Sequence, residues 1–280
     1  MNLKTLALLI WVTLVPLVAL AFQQDTAKTR AYIIGVVHEH KKYRNADSLL
    51  IILNNIKPDL ILVEMDTLTW MFNSDYSLYK PKGWENEKRK LRFKKSISPE
   101  DKATYLYARK NPSVHVYPFD MTIPNRKEYQ EFLSAEKWHQ ALKKAYKTGT
   151  LQNELDSAYH SYLNYFEQYN ILSKLTYSQL NRPSLVDSFR NIMRSEDSLS
   201  HLLLENVDVS PSFKEWYKRM ATMDRERDGI MVKNIIQFIH STKARKVVIL
   251  TGLLHKPFLI DGLGALTVRD QLELEEYFDL

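Results

Sequence analysis

The chain contains no cysteine. That excludes disulfides, thiolate metal sites, a cysteine nucleophile and lipid attachment through an N-terminal cysteine. It also suits export, because nothing in the chain can mis-oxidise. Several chemistry-bearing patterns are missing too. There is no Gly-x-Ser-x-Gly elbow, no Gly-x-x-x-x-Gly-Lys phosphate loop and no His-Glu-x-x-His zinc helix. No 20–50-residue repeat, low-complexity tract or Asn-x-Ser/Thr sequon is present; Asn111 is followed by proline. Nor is there a concentrated basic face. The net charge of +6 is spread along 280 residues, and the densest run, Lys88 to Lys95, reads as a solvated helix face. Nucleic acid is therefore not an expected partner.

What is present begins with an export signal. Lys4 precedes an apolar run from Thr5 to Phe22, Ala19-Leu20-Ala21 forms a small-x-small cleavage site, and polar Gln23-Gln24-Asp25 follows. This layout predicts a signal peptide over 1–21 and an exported, periplasmic or secreted, mature chain beginning near Phe22. The alternative is a retained anchor over residues 5–22, which would be the only membrane contact.

Four segments read as strands. Ala31–Val37 and Leu60–Val63 are continuously apolar, as strands buried on both faces are, and a helix over Asn45–Asn55 separates them. Strand, helix, strand predicts a parallel pair. Val114–Phe119 is weaker, and Pro118 marks it as an edge or a terminus. Lys246–Thr251 is the fourth. A long helix is predicted over about Phe213–His240, with a stripe of Phe213, Trp216, Met220, Met223, Met231, Ile235 and Phe238. The expected fold is α/β: a mainly parallel central sheet flanked by helices, in one domain over 22–280. Its core would comprise 30–66, 112–122 and 213–280. A helical insertion over about 67–111 and 123–212 would cap the strand carboxyl ends.

Sites in parallel sheets form beyond those ends. The four strands end at His38, Glu64, Asp120 and the His255 turn, all ligand or acid–base types. Gly35-Val-Val-His38 and Gly252-Leu-Leu-His255 share the pattern Gly-x-x-His, in which glycine allows close approach of backbone or ligand. Two imidazoles and the Glu64 carboxylate could hold a divalent metal with positions open to water. Each histidine could instead merely cap its strand. His40, two residues after His38, is a further ligand or a loop residue. Asp120 is a fourth ligand, a residue orienting a histidine, or a turn residue. In Arg225-Glu-Arg-Asp228 the helix stripe falls to polar residues near 224 and 227. That pattern points Arg227 inward at a carboxylate or an oxyanion. Gly262-Leu-Gly264 reads as a turn. His139, His160, His201 and His240 read as surface or packing residues.

The blocks Gly35–His38, Lys57-Pro-Asp-Leu-Ile-Leu-Val-Glu64, Glu226-Arg-Asp228 and Lys246–His255 resemble, in order and spacing, the TraB/Tiki superfamily and its wider erythromycin esterase-like and ChaN-like relatives. The resemblance covers about 60 residues at the two ends of the chain. It implies a metal-dependent, peptidase-like hydrolase with peptide or small-molecule substrates. His38, Glu64 and His255 would hold Mn, Co or Zn, Glu64 would also serve as general base, and Arg227 would stabilise an oxyanion. The relatives also imply three alternatives: a metal-independent esterase-like hydrolase, a ChaN-like haem or ligand binder, and an inactive peptide binder. Val36 stands where relatives often carry Thr, and the Tyr-rich insert matches no familiar pattern.

Overall fold

A computed structural model describes residues 28–37, 45–66, 98–149, 151, 154–172, 174–265 and 272–275. The segment read as a signal, the basic run Lys88–Lys95, and His38 and His40 lie outside these residues. Five strands form one all-parallel sheet: β1 (Thr29–Val36), β2 (Leu60–Asp66), β3 (His115–Asp120), β4 (Lys246–Gly252) and β5 (Leu272–Glu275). Their spatial order is β3-β2-β4-β1-β5. The expected α/β class and parallel sheet are thus what the chain adopts. β5 was not expected from the sequence, and β3, with Pro118, lies at an edge.

Side-chain alternation divides the core. Ile33, Leu60, Leu62, Val247 and Ile249 face one side; Ile34, Val36, Ile61, Val63, Val248 and Leu250 face the other. Both sets are buried, which is why the strands read as continuous apolar runs rather than alternating ones. Helices α1 (Ala46–Ile56) and α2 (Pro99–Lys110) cover the second face. Asn45 caps α1 by accepting from Ser48 N, and Lys57, in the left-handed region at φ 54°, ends it before Pro58. Helix α2 falls within the span assigned to the insert, yet Ala103 and Tyr107 pack on the sheet beside α1.

Beyond β3 come α3 (Arg126–Leu133), α4 (Glu136–Lys147), α5 (Glu154–Leu172), α6 (Tyr177–Leu180), α7 (Pro183–Asn206) and α8 (Pro211–Thr242). Part of this region has its own core. Trp138, Leu142, Tyr159, Tyr162, Leu203 and Leu204 pack together, with Phe213 and Tyr217 against them. Helix α8 then crosses the first sheet face. Met231, Ile235 and Ile239 sit on the strands, and Asn234 Nδ2 donates to Phe119 O at the end of β3 (3.0 Å).

Helix α9 (Lys256–Gly264) contains Gly262 and Gly264, so the expected turn there is corrected to helix. A Cβ at Gly262 would lie 2.7 Å from Val232 Cγ2. Glycine is required there because α9 packs closely on α8, not because the chain turns. Among the described residues no helix is long and apolar enough to cross a membrane.

Candidate functional site

The connection leaving β2 goes outward to β3, whereas that leaving β4 goes past β1 to β5. Adjacent strands whose connections diverge open a crevice at their carboxyl ends, where parallel sheets bind ligands. Glu64 ends β2 there and the Gly252–His255 turn follows β4. Strand parity aims them: Glu64 continues the series Leu60, Leu62, and Thr251 the series Val247, Ile249, so both face α8.

Helix α8 meets them with Arg227, which lies in line with Met231 and Ile235 and is itself buried. Its guanidinium has five N–H groups, and the structure uses all five. Nε donates to Asp120 Oδ1 at 2.8 Å. Nη2 donates to Asp120 Oδ2 at 2.7 Å and Glu64 Oε1 at 2.8 Å. Nη1 donates to the Tyr129 hydroxyl at 3.2 Å and His255 Nε2 at 3.1 Å. The side chains of Arg227, Glu64 and Asp120 are only 8%, 8% and 7% exposed. Burial opposes the Arg227 charge, but the hydrogen bonds of Asp120 and the charges of Asp120 and Glu64 outweigh it and raise the pKa above the ordinary value.

The second oxygen of Glu64 accepts from Thr251 Oγ1 (2.8 Å) and from Gly252 N. Tyr129, from α3, donates to Asp224 Oδ1. Burial, with the Asp224 charge, raises its phenol pKa.

These bonds fix the tautomer of His255. A guanidinium can only donate, so Nε2 must accept and Nδ1 must carry the proton. Nδ1 accordingly donates to Asp228 Oδ1 at 2.7 Å. Burial raises the Asp228 pKa, and the His255 hydrogen bond offsets this only in part. For His255, burial disfavours the imidazolium, but the Glu64 charge, 3.6 Å from Nε2, and the Asp228 hydrogen bond outweigh burial. The net direction is upward. A histidine with a raised folded pKa stabilises the fold fully below the ordinary value of about 6.5, and that contribution is lost as pH rises through the folded value. The stability difference between wild type and His255→Gln should therefore shrink between about pH 6 and 9, read as denaturant midpoints in matched buffers. A difference that grows over that range would contradict the assignment.

Of the residues singled out from sequence, Glu64, Asp120, Arg227 and His255 converge on one cluster. Asp120 chelates Arg227, and its Oδ1 also accepts from Met121 N at 2.7 Å just past β3. His139 packs against the Tyr162 ring, with Nε2 3.3 Å from its hydroxyl, and burial lowers its pKa. Tyr129, Asp224 and the role of Asp228 were not anticipated. The available signal for Asp224 and Asp228 was their spacing, one turn apart astride Arg227 on an otherwise apolar stripe.

The cleft above the cluster is walled by α3, α7 and the first half of α8, and is also lined by Glu196, Ser200 and Tyr217. Burial raises the Glu196 pKa, and burial pushes the Tyr217 phenol up to about 12.

A metal shared by His255 and Glu64 would meet an occupied centre. Arg227 already donates to both, and to both oxygens of Asp120. Among the described residues no group of three or more His, Asp or Glu is placed to hold a metal ion. Among the described residues this cluster is bonded to a guanidinium; His38, the further ligand expected from sequence, lies outside them.

No model of a known protein family matches the chain, and no curated protein or solved structure is significantly similar to it.

Proposed function

We propose that the chain is a hydrolase of peptide or ester carbonyl groups in which His255, oriented by Asp228, is the general base. The observation that carries this is the Asp228–His255 pair, 2.7 Å apart, which holds Nε2, at rest the acceptor of Arg227 Nη1–H, at a cleft at the carboxyl end of the sheet. A base with its other nitrogen tied to a carboxylate is held in one tautomer and stabilised once protonated. As Arg227 Nη1–H gives up Nε2, Nε2 takes a proton from water while the water oxygen bonds to the carbonyl carbon and the carbonyl becomes an oxyanion. As the intermediate collapses, the bond to the leaving group breaks and Nε2–H protonates that group.

Arg227 couples the two halves of this step. Its Nη1–H bonds Nε2 only while Nε2 has a lone pair. Proton uptake by His255 ends that bond and frees one N–H of a fully committed guanidinium as negative charge develops on the substrate. Glu64, 3.6 Å from Nε2, is a ready counter-charge for the imidazolium. In this reading Glu64 holds Arg227 and stabilises the protonated base, and is not itself the base.

The same 3.6 Å separation is what favours the metal-dependent version of the hydrolase, with His38 as a further ligand. Both versions require Arg227 to leave Nε2, and they differ in what then meets the lone pair, a water proton or a metal ion. One experiment separates the two: a panel of p-nitrophenyl esters and fluorogenic peptides, with and without chelator, on wild type and His255→Gln, beside elemental analysis. Turnover that survives chelator and is lost in His255→Gln supports the reading. Turnover that needs added Mn²⁺, Co²⁺ or Zn²⁺, with about one metal per chain as for a catalytic site, replaces it with the metalloenzyme. Full turnover in His255→Gln refutes both. Peptide binding without cleavage, or a Soret band on haem titration, would point to the non-catalytic binders.

A further inference from the structure

Below the cluster lies a second buried polar group that the proposed chemistry does not use. Asn181, between α6 and α7, and Lys256, the first residue of α9, are both fully buried. The Asn181 carbonyl oxygen accepts from Gly35 N at 2.7 Å and from Lys256 Nζ at 2.7 Å. Its amide nitrogen donates to Gly35 O at 3.1 Å and to Tyr177 O at 2.8 Å. An asparagine side chain has two acceptor lone pairs and two N–H donors, and all four are used. Two donors face the oxygen and two acceptors face the nitrogen, so flipping the amide would break every bond.

The sheet explains why Gly35 needs this partner. Val36 O accepts from Leu253 N, so Val36 points its peptide groups at β4. Gly35 points its own the other way, toward β5. Pairing between β1 and β5 ends at Tyr32–Glu275. Among the described residues no strand pairs with Gly35 N and O on that side, and the Asn181 amide bonds both. Gly35 also has no room for a side chain: a Cβ would lie 2.7 Å from Leu253 Cδ1, 3.3 Å from Lys256 Cδ and 3.4 Å from Asn181 Oδ1. The glycine of the first Gly-x-x-His turn is therefore shaped around residues of the second.

Packing repeats the link. Leu180, Phe189 and Leu253 form one buried cluster, with Val37 and Leu254 against it. Val37 of the first Gly-x-x-His motif and both middle residues of the second thus rest on α6 and α7.

The geometry points to Asn181 as a positioning residue of the active site. Its amide, set in one orientation by Lys256, locks the end of β1 to the start of α9 and so fixes His255 against Asp228. This rests on His255 being the working base. The helical insert is then part of the catalytic framework, because α6 and α7 pack against the end of β1 and the turn after β4.

The test uses Asn181→Asp and Asn181→Ala in the full chain, at a temperature where circular dichroism shows both folded. Asn181→Asp keeps the shape and the bonds from Gly35 N and Lys256, and loses the two donors. The first readout is the proton resonance of His255 Nδ1–H, which reports its bond to Asp228 and needs no substrate. It should move or broaden in both variants; a residue that only adds stability would leave it in place. The second is steady-state kinetics on whatever substrate the hydrolase screen yields. kcat should fall about 10- to 100-fold with KM changed less than about threefold, the cost of a small misplacement of catalytic groups. An unmoved resonance in natively folded variants overturns the inference. A moved resonance with no turnover in wild type upholds the positioning and refutes the hydrolase. Should both variants fail to fold, native-state amide exchange in wild type decides. Gly35 and Leu253 amides should open with one shared free energy, and independent opening would overturn the lock.

Discussion

In Asp228→Asn, kcat falls by about 10³- to 10⁴-fold, on the scale known for removing the charge behind a catalytic histidine. The substitution keeps the side chain's shape and can keep a hydrogen bond to Nδ1, since Arg227 still demands that Nε2 accept. What is lost is the negative charge that stabilises the imidazolium formed in the transition state. Two accompanying results distinguish this from unfolding. Burial raises the Asp228 pKa, so its carboxylate is held at a cost to the fold. A neutral isostere should leave the denaturation midpoint unchanged or slightly raised, as expected where a residue is kept for activity rather than stability. The second result concerns pH. The base must be neutral to act, so activity rises as pH passes the His255 pKa. With the Asp228 charge removed from behind Nδ1, that pKa drops and the acid limb of kcat moves to lower pH. Turnover within threefold of wild type at the pH optimum would show that another group is the base.

The sheet and the site were legible to different degrees. The apolar runs at Ala31–Val37, Leu60–Val63 and Lys246–Thr251 announced strands buried on both faces. Their carboxyl ends located Glu64 and the His255 turn without any side-chain geometry. Arg227 could be found because a cation on an apolar stripe must face either the core or a partner. Asp228 could not be told from its neighbours: Arg225, Glu226 and Asp228 together read as a solvated face, and only packing decides that Asp228 reaches back to His255 while Arg225 and Glu226 stay exposed. Asn181 stands before Arg182-Pro183 and reads as an ordinary turn residue. Its role depends on the long-range approach of Gly35, Tyr177 and Lys256, which no local pattern announces. Gly262 was misread for a related reason. Local sequence treats glycine as a turn residue, whereas here Val232 on another helix excludes a Cβ.

Arg227→Met is expected to destabilise the protein by about 3–5 kcal/mol, the cost of removing one partner from a buried ion-pair network. Methionine fills much of the space of the arginine stem, so little of this is cavity. The loss comes from what stays behind. Asp120 and Glu64, each less than a tenth exposed, lose the guanidinium that holds three of their four oxygens, and Tyr129 and His255 lose a donor. Carboxylates left buried without a cation gain proton affinity, so their folded pKa values rise above the unfolded ones. Each then disfavours the fold at pH 7, and the penalty fades as the pH is lowered and the groups protonate. Urea denaturation of wild type and variant at about pH 7 and pH 5 should show the gap narrowing at the lower pH. Arg227→Lys should recover only part of the stability, because a single ammonium cannot reproduce a planar fork bonded at five points. A pH-independent loss below about 1 kcal/mol would place these carboxylates in contact with solvent. It would remove the premise that Arg227, fully engaged at rest, has an N–H to release only when His255 takes up its proton.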